Sequence, residues 1–137
     1  MNARESEDWL RRAEGNLRLA QQGKMESIFL EDLCFQAQQA AEKALKGLLI
    51  YLTGEFPKVH SLGLLLERLE AVVAVPDSIK ETVDLSDYAV QTRYPGDYDP
   101  VSDEEYQRAL ELATRAVQWV KGELQQRRLT HKPDVSE

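Results

Sequence analysis

Residues 28–53, IFLEDLCFQAQQAAEKALKGLLIYLT, restrict the fold of this chain more than any other stretch. Ala37, Ala41, Ala44, Leu45, Leu48 and Leu52 recur at three- and four-residue spacing. That is the period of an α-helix, and the stripe is wide enough for a helix at the centre of a bundle. The alanines in its middle leave room for a neighbouring helix to come close. Gly54 supplies a stop, and Pro57 prevents the helix from resuming.

The rest of the chain supplies the partners such a helix needs. In residues 6–22, Trp9, Leu10, Ala13, Leu17 and Ala20 form a stripe, Arg11, Arg12, Glu14 and Arg18 lie away from it, and Gly23 follows as a stop. Ser61 is placed to cap a third helix with Leu62, Leu65, Leu66, Leu69 and Val73 inward. Pro76-Asp77 opens a fourth, with Ser78 and Glu81 at the spacing of a capping box. Ser102 and Glu105 form a second capping box before a fifth helix, striped by Tyr106, Ala109, Leu110, Ala113, Val117 and Val120 and running to about Leu124. No stretch alternates with period two for more than a few residues, so no sheet is expected. Short connections favour antiparallel neighbours. The expected fold is all-α, an up-and-down antiparallel bundle of four to five helices, in one domain over residues 1–128 with a flexible polar tail over 129–137.

Charge and cysteine content narrow the function classes. The net charge is −7 over 137 residues, which disfavours broad nonspecific nucleic-acid binding because phosphate backbones are repelled. A local basic pocket stays compatible with that total. The single cysteine, Cys34, excludes an internal disulfide and a Cys-rich zinc site, and it reads as a small buried helix residue. The first twenty residues are charged and lack the apolar core of a signal peptide, and the run Ala44–Thr53 contains Lys46 and is too short to span a bilayer. A cytoplasmic protein is expected. There are two histidines, His60 and His131, no HExxH, no phosphate-cradling glycine motif and no nucleophile elbow, so neither a metal nor a cofactor is expected.

Two places carry more specific chemistry. Gln36, Gln39, Lys43 and Lys46 line one side of the second helix beside its apolar stripe. They form either an ordinary solvated face or a set that reaches into a groove between helices or protomers. Glu42 and Lys46 are spaced to pair along the helix, worth a few tenths of a kcal/mol on an exposed face. His60 precedes a helix N-terminus, where it either contacts an anion or helps to satisfy helix-end backbone groups.

The AQQAAEKALKGLL run, His60-Ser61-Leu62 before the third helix and the RYPGDY loop at Arg93–Tyr98 occur in the order seen in HEPN domains, and residues from about 6 to 125 resemble that family. The resemblance implies a helical bundle related to nucleotidyltransferase substrate-binding domains, usually a homodimer. It also implies frequent pairing with a minimal nucleotidyltransferase, in some relatives as a toxin–antitoxin pair. Catalytic relatives are metal-independent ribonucleases with an Arg-x(4–6)-His motif. Here Arg93 is followed by Tyr94, Pro95, Gly96, Asp97, Tyr98, Asp99 and Pro100, with no histidine in reach. An arginine stabilises charge but cannot shuttle protons near neutral pH. No catalytic residue is therefore assigned.

The loop offers groups for holding a ligand instead. Arg93 presents a fork for phosphate, and Tyr94 and Tyr98 present faces and hydroxyls to a base. Asp97 or Asp99 can orient Arg93 or accept from a ribose hydroxyl. Equally, the arginine pairs with an aspartate and the tyrosines cover the core and a dimer seam, for which Tyr51, Trp119 and the alanine-rich helix offer surface. The candidate ligand-binding set is Gln39, Lys43, Lys46, His60, Arg93, Tyr94, Asp97 and Tyr98. The expected function is noncatalytic nucleotide or phosphate-ligand binding beside a nucleotidyltransferase. The alternatives are an interaction module without a small ligand and, least favoured, a ribonuclease toxin.

Overall fold

A computed structural model describes residues 2–89 and 100–130. Its helices are α1 (Asn2–Ala20), α2 (Leu30–Thr53), α3 (Leu62–Glu70), α4 (Asp77–Lys80) and α5 (Asp103–Thr130). A 3-10 segment, Glu81–Tyr88, continues directly from α4. No β-strand occurs among the described residues, apart from an isolated bridge between Met25 and Ile28.

The direction of each leg follows from which residues meet. Gly47 lies against Ser6 and Trp9, while Asn16 donates to Gln36 at 2.6 Å, so α1 and α2 run antiparallel. Glu14 pairs with Lys121 and Glu7 with Arg128, so α1 is antiparallel to α5 as well. Helices α2 and α5 therefore point the same way, and the chain between them must return along the bundle. The returning leg is broken into α3, α4 and the 3-10 segment. Arg108 reaches Glu81 and Asp84, and Arg115 reaches Glu81 and the Ser78 carbonyl, so the last part of this leg is antiparallel to α5. The result is an up-and-down bundle with one irregular leg.

Helix α2 is central, as its stripe predicts. Ala37, Ala40, Ala41, Ala44, Leu45 and Leu48 are fully buried, and so are Ala13 and Ala20 of α1. Small residues on both helices allow a close approach. At Gly47 it is close enough that a Cβ would stand 3.1 Å from Trp9 Cβ and 3.2 Å from the Ser6 carbonyl oxygen. Cys34 is buried in the same helix.

The helix ends match local chemistry in most places. Gly54 takes the left-handed conformation, φ 78°, and closes α2. The Ser61 hydroxyl accepts from the Leu64 amide at 3.3 Å. Ser102 and Glu105 exchange both capping-box bonds, at 2.9 and 3.1 Å. The box expected at Ser78 and Glu81 does not form: Pro76 is the N-cap without a side-chain bond, and Glu81 lies beyond α4. Two arginines of α5 take the Glu81 carboxylate and hold it below the usual carboxylate range, Arg108 being the larger cause. Glu81 is thus used across the bundle rather than locally. Tyr51 and Trp119, read as interface candidates, are half-buried and pack against the core.

Candidate functional site

The polar side of α2 does not form a uniform solvated face. Its residues divide among three environments. Gln36 turns to α1 and accepts from Asn16. Lys43 is half-buried and makes no ion pair among the described residues. Lys46 goes inward, with a side chain only 6% exposed.

A continuous polar chain surrounds Lys46. Gln39 donates to the Gln38 side-chain oxygen at 2.8 Å, and Gln38 donates to Glu42 Oε1 at 2.9 Å. Lys46 Nζ lies 2.8 Å from Glu42 Oε2 and 3.2 Å from His60 Nδ1. The ammonium also sits 5.9 Å from the centre of the Trp9 ring, within reach of a cation–π attraction. Trp9 in turn packs on Phe56, ring centres 5.6 Å apart and tilted by 34°. Helix α1 therefore provides the lid, α2 the charges, and the α2–α3 connection the imidazole.

Burial decides the character of this cluster. Gln38 and Glu42 are buried, so each polar atom needs a partner, and both carboxylate oxygens of Glu42 have one. The Glu42–Lys46 pair expected as a weak surface contact is shielded from water. His60 is the opposite case: its side chain is 82% exposed, so the chain ends in a ring open to solvent.

Among the predicted residues, the structure brings Gln39, Lys46 and His60 into one hydrogen-bonded chain and leaves Lys43 beside it on α2. Arg93, Tyr94, Asp97 and Tyr98 lie outside the described residues. Sequence reasoning did not select Gln38, Glu42 or Trp9 as site residues. A signal for the first two existed: Gln38, Glu42 and Lys46 follow a strict four-residue spacing. Nothing in the local sequence of Trp9 announces its position over Lys46.

Elsewhere, a cavity of about 320 Å³ lies between the 3-10 segment and α5. Among the described residues, Asp84, Glu104 and Glu105 line it with only Arg108 opposed to them, which suits a phosphate poorly. No cluster of three metal-ligating side chains occurs among the described residues, and no helix there is long and apolar enough to cross a membrane.

Comparison with known proteins gives a consistent result. The HEPN domain profile matches residues 6–123. The crystal structure of TT1696 from Thermus thermophilus is 38% identical, with a TM-score of 0.69 over 89% of this chain and 98% of that one. ST0689, described as an archaeal HEPN homologue, is 30% identical, with a TM-score of 0.68 over 88% of this chain and 98% of its own. A comparison with curated proteins returns no match.

Proposed function

This chain belongs to the HEPN domain family, and from that premise we propose that it is a noncatalytic member that binds a nucleotide or another phosphate-bearing ligand. In this reading it works in the cytoplasm as a homodimer, partnered with a minimal nucleotidyltransferase in a toxin–antitoxin-like pair. The observation that carries the reading is the held but exposed imidazole of His60, joined to the helix that also carries Lys43, whose charge no carboxylate neutralises among the described residues. A donor and a cation offered together suit an anionic oxygen. Gln39 adds a polar flank. Arg93 is assigned to phosphate, Tyr94 and Tyr98 to the base, and Asp97 to orienting the arginine or accepting from the ribose. The absence of a histidine from Tyr94 to Pro100 supports the noncatalytic assignment.

Calorimetry with ATP, GTP and their monophosphates tests this. Binding is expected, and Lys43→Ala or Arg93→Ala should abolish it while the oligomeric state on size-exclusion stays unchanged. No heat at millimolar nucleotide sinks the reading.

A second reading is favoured by Phe56 and Leu64, which flank His60 in sequence and are 50% and 45% exposed. Here the same face docks the partner protein and takes no small ligand. Phe56→Ala would then weaken partner capture, with nucleotides absent from the measurement.

A further inference from the structure

We infer that Lys46 and Glu42 are positioning residues for His60: they hold its ring in a single tautomer, with the bare Nδ1 inside and the proton on Nε2, directed outward. The inference rests on the reading that this face binds a ligand, and it names the group the ligand must bring, a hydrogen-bond acceptor such as a phosphate oxygen.

The geometry carries this in three steps. First, an ammonium has donors and no acceptor, so the Lys46 Nζ contact at 3.2 Å requires the Nδ1 lone pair. Second, the ammonium is itself confined, with Glu42 Oε2 at 2.8 Å and the Trp9 ring beside it. Glu42 is confined too, because Gln38 donates to its other oxygen at 2.9 Å. Third, Glu42 does not replace Lys46 as the partner of the ring. Its Oε2 is 3.6 Å from Nδ1, beyond a hydrogen bond.

Which group holds Nδ1 separates two kinds of site. When a carboxylate accepts from Nδ1–H, Nε2 is left bare and the histidine is a general base. Here the ammonium bonded to the carboxylate also makes the shorter contact with the ring, and the arrangement is reversed. The nitrogen that faces outward already carries its proton, so His60 donates to a ligand and does not deprotonate one. Lys46, whose charge is matched by Glu42, sets the ring and leaves the direct contact with an anion to Lys43.

Long-range nitrogen–proton NMR of the full chain, labelled at histidine nitrogens and recorded where imidazole is neutral, reads the tautomer directly. His60→Gln assigns the signals. The expected result is an Nε2–H fraction above that of the same chain unfolded in urea. It should fall back toward the unfolded value in Lys46→Met and in Glu42→Gln; circular dichroism identifies which variants are folded, and either one suffices. A wild-type ratio equal to the unfolded one, or one unmoved in a folded variant, overturns the inference. Titration with AMP in the same sample separates the two proposals. A locked tautomer with no AMP binding removes the binding reading alone. AMP binding with an unbiased tautomer removes the positioning role alone.

Discussion

At the scale of single residues, Glu42 shows how burial changes the worth of an interaction. On an exposed helix its pairing with Lys46 would be worth a few tenths of a kcal/mol. In the bundle the two side chains are 10% and 6% exposed, so removing one partner strands a charge away from water. Glu42→Ala should lower the unfolding free energy by about 3 kcal/mol, seen as a lower urea midpoint at unchanged slope. Replacing both residues with methionine should recover most of that loss, since no charge is then left uncompensated. A single-variant cost of only a few tenths would mean that the pair is solvated. The spacing of the pair was legible in the sequence, but its burial was not, because Trp9 and His60 reach it from other elements.

At the scale of elements, three of the helical glycines, Gly15, Gly47 and Gly122, behave differently for a reason seen only in three dimensions. A Cβ at Gly15 or Gly122 would have no neighbouring atom within 4 Å, whereas one at Gly47 would press on the Trp9 Cβ and the Ser6 carbonyl. Gly122→Ala should stabilise the protein by about 1 kcal/mol through helix propensity alone. Gly47→Ala gains the same propensity but must push α1 away, and a net loss of about 1 kcal/mol is expected. Thermal melts of the two variants should move in opposite directions; a parallel rise would show that α1 yields easily. The caps at Ser61 and Ser102 were legible because capping joins residues three apart. The box at Ser78 and Glu81 had the same spacing, yet Arg108 and Arg115 compete for the carboxylate. Spacing alone does not reveal such a competitor.

At the scale of the whole molecule, Tyr106 ties the first leg to the last. Its buried hydroxyl donates to the Ala20 carbonyl at the end of α1 and accepts from the Gly23 amide at 3.1 Å. Tyr106→Phe leaves both backbone groups short of a partner and should cost about 1–3 kcal/mol in chemical denaturation. Burial, the main cause, pushes the phenol above its ordinary value of 10.0, and the bond from Gly23 opposes it. A raised folded value means that this contribution is complete below pH 10.0 and is lost as pH climbs through the folded value. The phenylalanine variant should lack that alkaline component of unfolding. The amino-acid sequence by itself determined the helices of α1, α2, α3 and α5, the glycine stop of α2, the caps of α3 and α5 and the central place of α2. Those features depend on side-chain period and on groups within a turn of one another. Only the tertiary structure decided that Lys46 turns inward, that Glu81 serves α5 and that His60 ends a buried polar chain. Burial and hydrogen-bond partners are set by whichever distant element packs over a residue, and no local spacing encodes that.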